Sequence, residues 1–187
     1  MSRFDFIPTP LTGLKLVQRK AIEDHRGFLS RFYCAEEFAG AGIIKKTIAQ
    51  INHTLTRKKG AVRGLHFQHT PHAETKLVSC LKGEIWDVAV DLRSESPTFL
   101  QWHGEIISAA NRKSLLIPEG YAHGFQALTE DCELIYLHTE SYCPEAEGAL
   151  NVADPRLNIA WPLPIADLSD RDHNHSLIDQ NFKGIIL

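Results

Sequence analysis

The sequence predicts a mainly β protein, an antiparallel sandwich or barrel with a few short helices. Short runs rich in β-branched and aromatic residues recur along the chain, and turn-forming residues separate them. Residues 84–93 alternate strictly, which places Trp86, Val88 and Val90 on one face. Many short strands joined by turns are typical of two packed antiparallel sheets or of a closed barrel.

The predicted strands are bounded by residues that favour turns. The pair Lys82-Gly83 joins two runs into a hairpin, because glycine can adopt the positive φ that a tight turn needs. Helices are predicted at residues 35–41 and near Asp170. In chain order, the predicted strands are residues 46–52, 61–68, 75–81, 84–93, 99–107, 114–117 and 133–139.

Length and composition indicate a single globular domain over residues 1–187. With 187 residues, 43% of them hydrophobic and 23% charged, the chain can bury a sizeable core. The net charge is -3, and the basic residues are scattered apart from Arg57-Lys58-Lys59. This distribution argues against nucleic acid as a partner.

The sequence also indicates a cellular compartment. The amino terminus lacks the unbroken apolar segment of a signal peptide, and no apolar run reaches the roughly 18 residues of a membrane span. The four cysteines form no C-x-x-C pair and are too few for a disulfide scaffold. We therefore expect a cytoplasmic protein with reduced thiols and no membrane partner.

Three basic side chains stand in a region of β-forming residues: Arg63, His66 and Lys76. An isolated buried charge costs several kcal/mol, so such a group indicates a polar pocket for an anionic or carbonyl-bearing ligand. Arg63 and His66 are three residues apart and cannot share a face of a regular strand. A bulge at Gly64 would bring both to one face, since glycine inside a strand often marks a bulge.

Two histidine motifs raise the alternative of a metal site. Gly-x-His at residues 64–66 and Pro-x-Gly-x-x-His at residues 118–123 resemble the two motifs of cupin barrels, many of which hold a divalent ion. Against a metal, the expected His-x-His is His66-Phe67-Gln68, and Lys76 would bring a positive charge toward the ion. We predict no metal and no other cofactor. The candidate ligands would be His66, Gln68 or His69, His72 or Glu74, and His123.

Read together, the motifs resemble those of the dTDP-4-dehydrorhamnose 3,5-epimerase family, in order and over nearly the whole chain. The resemblance implies a metal-independent, cupin-like jelly-roll β-barrel that forms a homodimer. It also implies action on a nucleotide-linked 4-keto-6-deoxy sugar. The matching segments are residues 24–28, 50–52, 63–68, 76–78, 87–93, 96–99, 117–125, Tyr136, Tyr142, 154–155, 161–162 and 169–172.

The resemblance implies a role for each of four catalytic residues. Inversion beside a C4 ketone removes a proton from carbon, leaves an enolate on the C4 oxygen and returns a proton to the opposite face. His66 would be the base, because imidazole titrates near neutral pH, and Asp172 would orient it. Lys76 would stabilise the enolate, and Tyr136 would donate the opposite-face proton. Inversion at C3 and C5 is thus expected, and the close alternative is inversion at C3 alone.

The resemblance also implies a set of substrate-binding residues, in which arginine suits a bidentate contact with phosphate. Three positions depart from the family pattern: Arg31 replaces a usual glutamate, Leu137 a lysine, and Ser141 the first of two tyrosines. These departures leave open both the sugar and the nucleotide, which could be dTDP, CDP or GDP. The implied binding residues are Arg26, Gln50, Asn52, Arg63, His123, Tyr142, Glu147 and Arg171.

Two interpretations from other classes remain open at this point. One is a metal-dependent cupin enzyme, such as an oxygenase or an aldose isomerase, which metal analysis would identify. The other is a non-catalytic sugar-binding cupin. The second would be favoured if the four proposed catalytic side chains did not converge in space.

Overall fold

Strands dominate the computed structural model of the protein, which describes residues 2–41 and 47–187. Six strands form one antiparallel sheet, five form a second, and two form a separate hairpin. The strands are β1 Phe4–Pro8, β2 Lys15–Arg19, β3 Ile22–Asp24, β4 Gly27–Leu29, β5 Gln50–Thr56, β6 Val62–Gln68, β7 Lys76–Lys82, β8 Glu84–Asp91, β9 Trp102–Ser108, β10 Lys113–Ile117, β11 Tyr121–Ala127, β12 Cys132–His138 and β13 Glu147–Ala149.

The helices are short: α1 Ala35–Gly40, α2 Asp170–His173, and one 3₁₀ turn at Pro144–Ala146. Both α-helices lie where the sequence predicts them. Within the described ranges, no helix combines the length and the apolar character needed to cross a bilayer.

The strand order is that of a jelly roll. The larger sheet has the order β1-β2-β10-β7-β12-β5 and the smaller one the order β13-β6-β11-β8-β9. From β5 to β8, and again from β9 to β13, consecutive strands lie in opposite sheets. This alternation folds the chain into a cupin-like jelly-roll barrel and confirms the predicted fold class.

The main core lies between the two sheets, and further apolar layers cover their outer faces. Val78 and Leu134 of the larger sheet belong to the same cluster as Ile85 and Phe125 of the smaller one. The segment after residue 149 covers the outer face of the smaller sheet. The fully buried Phe38 of α1 packs on the larger sheet, and its burial contributes about 2 kcal/mol.

Most predicted strands are confirmed, with shifts that have local causes. Strand β9 begins at Trp102 and not at residue 99, because Leu100 adopts a φ of 60° and interrupts the extended backbone. The predicted run 46–52 begins outside the described residues, and the strand found there is β5. The pattern analysis misses β1 and β2, since charged residues and proline interrupt their short apolar runs. It also misses β3, β4, β11 and β13.

A bulge at Gly64 sets the register of β6 against β11. His66 pairs with His123 and Arg63 with Phe125, so three steps along β6 oppose two along β11. Gly64 has a φ of 123°, and a Cβ added there would lie 2.6 Å from Cα of Gly124. The predicted bulge is therefore confirmed, and it turns Arg63 and His66 to the same side of the strand.

The segment 91–98 stabilises the fold. The buried Asp91 carboxylate accepts hydrogen bonds from Arg93 at 2.7 Å and from Thr98 at 2.6 Å. Burial raises the pKa of Asp91, but these hydrogen bonds outweigh burial and lower the pKa to about 2. The ionised carboxylate therefore stabilises the fold at neutral pH, and this contribution is lost as the pH falls from about 4 to about 2.

Candidate active site

A cavity of about 1020 Å³ opens between the sheets and is closed on one side by residues 167–172. Strands β5, β7 and β12 of the larger sheet and β6 and β11 of the smaller sheet supply its walls. All of the predicted site residues except Arg26 line this cavity. They are Gln50, Asn52, Arg63, His66, Lys76, His123, Tyr136, Tyr142, Glu147, Arg171 and Asp172.

His66 and Asp172 form a hydrogen-bonded pair in the cavity wall. Nε2 of His66 lies 2.8 Å from Oδ1 of Asp172, and 32% of the His66 side chain is exposed. Ser169 caps α2 by accepting a hydrogen bond from the Asp172 N–H at 3.0 Å, which fixes the carboxylate at the start of the helix. The second carboxylate oxygen accepts from the Gly64 N–H at 3.3 Å.

The charge on Asp172 determines which nitrogen of His66 is basic. Burial raises the pKa of Asp172, but the hydrogen bond and charge of His66 outweigh burial, and the pKa lies below its usual value. The ionised carboxylate accepts the Nε2–H of His66. Nδ1 is then the unprotonated nitrogen of the neutral ring and can accept a proton.

Lys76 brings a positive charge to the same cavity from β7. Its Nζ donates to the main-chain oxygen of His66 at 3.2 Å and lies 3.1 Å from Oε1 of Glu74. Only 9% of the Lys76 side chain is exposed. An ammonium group held in so buried a position can stabilise negative charge on a bound substrate more strongly than one in water.

Tyr136 faces the cavity from the sheet opposite His66. Tyr136 lies on β12 of the larger sheet, whereas His66 lies on β6 of the smaller one. Burial and, secondly, the negative charge of Asp87 raise the pKa of Tyr136 well above its ordinary value. The phenol therefore stays protonated at neutral pH and is able to act as a proton donor.

His123 lies next to both His66 and Tyr136. It pairs with His66 across β6 and β11, and its ring centroid is 5.9 Å from that of Tyr136. Nε2 of His123 lies 2.7 Å from Oδ1 of the fully buried Asp87. Burial raises the pKa of Asp87, and the contact with His123 offsets part of that rise. Asp87 thus fixes the orientation of the His123 ring.

Two guanidinium groups line the cavity and are exposed to solvent. Arg63 donates from Nε to Oγ1 of Thr56 at 2.9 Å, and Arg171 pairs with Glu147. Glu147 also accepts a hydrogen bond from the Tyr142 hydroxyl at 2.8 Å. Two exposed arginines that line one cavity can bind a diphosphate through several charge-assisted hydrogen bonds.

Arg26, which the resemblance implies is a substrate-binding residue, does not line the cavity of its own chain. It lies on the β3–β4 hairpin, pairs with Asp24 at 2.6 Å and has a side chain that is 78% exposed. The β3–β4 hairpin forms a two-stranded sheet of its own, and Arg26 is not among the residues that line the cavity. Arg31 also lies outside the cavity and pairs with Glu37 at 3.0 Å.

The sequence analysis does not identify three polar residues of the acid–base centre: Glu74, His138 and His175. Glu74 and His138 line the cavity, with Oε2 of Glu74 lying 2.7 Å from Nδ1 of His138. Nε2 of His175 lies 3.6 Å from Oδ1 of Asp172. Glu74 and His138 are 64 residues apart and meet only in the folded protein, so no local pattern marks them. Asp172 and His175 are three residues apart, a spacing that could have indicated the second contact.

The candidate metal ligands named above do not come together as a set. In the part of the chain that the structure describes, the one group of three or more His, Cys, Asp or Glu ligands comprises His66, Asp172 and His175, with ligand atoms within 4.8 Å of one another. This group could hold an ion. However, a metal bound there would compete with the hydrogen bond that orients His66.

The fold and the cavity together define a class of protein. A His–Asp pair on one side, a protonated tyrosine on the other and a buried lysine beside them can remove a proton next to a carbonyl group and return one. Such a site on a jelly-roll barrel is that of an acid–base isomerase.

Comparison with known proteins identifies the family within this class. Residues 8–180 match the family model described as dTDP-4-dehydrorhamnose 3,5-epimerase. The protein of that name from Salmonella typhimurium is 42% identical over 175 residues, which is 93% of this chain and 95% of the relative. The chain belongs to the dTDP-4-dehydrorhamnose 3,5-epimerase family.

Solved structures agree with this assignment. The dTDP-4-dehydrorhamnose 3,5-epimerase of Bacillus anthracis, crystallised with TDP and PPi, has a TM-score of 0.90 at 38% identity, over 94% of this chain and 99% of that one. An epimerase of Legionella pneumophila in complex with dTDP-4-keto-L-rhamnose has a TM-score of 0.88 at 39% identity, over 93% and 92% of the two chains. The similarity therefore extends over nearly the whole barrel.

Proposed function

We propose that the protein inverts C3 and C5 of a dTDP-linked 4-keto-6-deoxy sugar through enolate intermediates and without a cofactor. One observation carries the proposal: the His66–Asp172 pair and Tyr136 approach a single cavity from opposite sheets. An inversion requires proton removal on one face of the sugar and proton delivery on the other.

The reaction begins with proton abstraction. The ionised Asp172 holds the His66 imidazole, and Nδ1 takes the proton from the carbon beside the C4 ketone. The electron pair of the broken C–H bond moves into the C3–C4 or C4–C5 bond, and negative charge develops on the C4 oxygen. The Lys76 ammonium stabilises this oxygen, a contribution of about 3 kcal/mol for a preorganised donor.

Inversion is completed from the other face. The Tyr136 phenol, which burial keeps protonated, delivers its proton to the enolate carbon. Solvent then reprotonates Tyr136 and takes up the proton that His66 holds. His123 and Asn52 lie beside this path and bind the sugar, while Arg63 and Arg171 bind the diphosphate. The relatives named for dTDP-linked substrates support dTDP over CDP or GDP as the nucleotide.

The test is an exchange experiment in heavy water. The protein is incubated with dTDP-4-keto-6-deoxyglucose in D2O, and NMR follows deuterium and configuration at C3 and C5. We expect deuterium at both carbons and inversion of both. The CDP- and GDP-linked sugars serve as controls and should react at least about tenfold more slowly, since one decade corresponds to about 1.4 kcal/mol of lost binding. Absence of exchange with all three substrates would refute the proposal, and inversion of C3 alone would restrict it.

Metal removal tests the cofactor-free mechanism in the same assay. Because an imidazole base and a lysine-stabilised enolate need no ion, activity should survive prolonged EDTA treatment within about twofold. The purified protein should contain no stoichiometric transition metal. One ion per chain together with loss of activity on chelation would move the protein to the metal-dependent cupins.

We further propose that the protein acts as a homodimer. The β3–β4 hairpin exposes Ile22 by 46%, Phe28 by 60% and Leu29 by 70%, a grouping that burial against a second copy would cover. Packed in this way, Arg26 would act at the partner's cavity and not at its own. Light scattering should report twice the chain mass, and a monomeric mass at assay concentration would contradict the dimer.

Two further proposals concern organisation and compartment. We propose one domain over residues 1–187, which the match over 8–180 and the continuous apolar layers support. We also propose that the protein works in the cytoplasm, where the four free cysteines would stay reduced. Fractionation of expressing cells tests the compartment, and recovery from an oxidising compartment would contradict it.

A further inference from the structure

A buried Glu–His pair adjoins the proposed catalytic lysine. The Glu74 carboxylate places Oε1 at 3.1 Å from Nζ of Lys76 and Oε2 at 2.7 Å from Nδ1 of His138. The exposed fractions of the Lys76, Glu74 and His138 side chains are 9%, 9% and 10%. Ionisable groups this deeply buried need partners, and here a single carboxylate serves two donors.

The contacts of His138 indicate which ring nitrogen donates to Glu74. Its Nδ1 must donate, because the Glu74 carboxylate has only acceptor atoms in its ionised state. Its Nε2 lies 3.4 Å from Nδ2 of Asn52, an amide nitrogen that can only donate, so Nε2 is an acceptor. His138 therefore donates to Glu74 through Nδ1, and its Nε2 faces the Asn52 amide. A directed chain of hydrogen bonds runs from Asn52 through His138 to Glu74, and Lys76 donates to the same carboxylate.

The pKa of Glu74 indicates that its carboxylate is ionised when it accepts these hydrogen bonds. Burial raises it, but the hydrogen bond from His138 and the charge of Lys76 outweigh burial, and the pKa lies below its usual value. The carboxylate thus stays available to both donors at neutral pH.

This series of hydrogen bonds also limits where the Lys76 ammonium can lie. Of its three N–H bonds, one points to Glu74 and one to the main-chain oxygen of His66 at 3.2 Å. The third can then be directed at a substrate oxygen. A flexible four-carbon side chain would otherwise sample many positions in a cavity of this size.

We propose that Glu74 and His138 are positioning residues for the epimerisation: they hold the Lys76 ammonium where the enolate oxygen forms. Neither residue needs to touch the reacting atoms in this role. The ring of His138 also stacks on the proposed donor Tyr136, with centroids 6.0 Å apart and planes at 18°. The same pair therefore adjoins both the enolate-stabilising group and the proton donor. This inference rests on the proposed function.

The main test is Glu74→Gln. Lys76 and His138 use different oxygens of the Glu74 carboxylate, and in glutamine one of these two positions is an NH2 group that cannot accept a hydrogen bond. We expect kcat for deuterium entry at C3 and at C5 to fall at least about tenfold, as small displacements of a catalytic group typically do. KM and the affinity for dTDP should stay within about twofold, because Glu74 binds no part of the nucleotide. A primary isotope effect on kcat should also increase, which a mere loss of folded protein would not cause.

Glu133→Gln is the matched control. Glu133 and His53 form a similar pair on β12 and β5, at 3.0 Å, but their side chains are 32% and 57% exposed and do not line the cavity. This variant should keep kcat within about twofold, since exposed ion pairs contribute little.

Variants of His138 test the hydrogen bond between His138 and Glu74 from the side of the histidine. His138→Gln can still donate to Glu74 and should keep most of the wild-type kcat. His138→Phe keeps a stacked ring on Tyr136 but cannot donate, and should lose about tenfold. These two variants decide the matter even if Glu74→Gln fails to fold.

The outcomes separate this inference from the proposed function. Wild-type exchange in the same assay tests the function by itself. If the wild type is active, an unchanged kcat in folded Glu74→Gln, a loss expressed in KM alone, or equal rates for His138→Gln and His138→Phe would overturn the positioning role. Two results together would support the role. Glu74→Gln should have a lower kcat at unchanged KM, and His138→Gln should keep a higher kcat than His138→Phe.

Discussion

His66→Ala should lose proton exchange at both C3 and C5 by at least about 100-fold, the low end for removal of a general base. A single imidazole serves both carbons in the proposed mechanism, so both exchanges should fall together. Alanine also leaves the Asp172 carboxylate without its 2.8 Å partner. Deuterium entry in D2O, followed by NMR, measures each position separately.

A histidine outside the cavity provides the control for this variant. His53 lies on β5, where 57% of its side chain is exposed, so His53→Ala should exchange at the wild-type rate. The dTDP affinity of His66→Ala should remain close to that of the wild type, which would show that the cavity is still formed. Exchange at nearly the wild-type rate in this variant would remove His66 from the role of base.

Tyr136→Phe should turn the enzyme into an exchanger that no longer inverts. The phenyl ring still fills its place between His123 and His138, so folding should change little. His66 can still remove and return a proton on its own face, and deuterium should enter with the original configuration retained. We expect inversion at C5 to be lost first, by at least about 100-fold, with some C3 product where water supplies the proton.

Product configuration decides this second prediction. NMR coupling constants distinguish retained from inverted centres in the same sample that reports deuterium. Complete double inversion by Tyr136→Phe would exclude the phenol as the donor. Loss of exchange together with inversion would instead mean that Tyr136 also supports proton abstraction.

Short sequence patterns were sufficient to predict the fold class and the bulge at Gly64. Alternation along residues 84–93 and the frequent turns predicted the antiparallel barrel. The three-residue spacing of Arg63 and His66 required a bulge at Gly64, and the register of β6 and β11 contains one. Resemblance then supplied Asp172 and Tyr136, whose own surroundings in the sequence carry no catalytic signature.

Features that depend on distant contacts could not be predicted in this way. Glu74 and His138 are 64 residues apart in the chain and meet only because β7 and β12 are neighbours in the larger sheet. In the same way, the motif at residues 24–28 does not reveal that the hairpin of Arg26 forms a sheet separate from the barrel. Both cases depend on sheet order, which alternation within one strand does not specify.

The meeting of Gly64 and Gly124 has a consequence for anyone who would redesign the substrate range. A Cβ on Gly124 would lie 2.8 Å from the Arg63 oxygen and 2.9 Å from the Leu65 side chain, so neither glycine has a usable replacement. A mutational library should therefore keep both codons fixed and vary the walls, at Gln50, Tyr142 or Leu55. A side chain added at either glycine would push β6 away from β11 and displace His66, whereas space gained at the walls would leave the base in place and change which substrates fit.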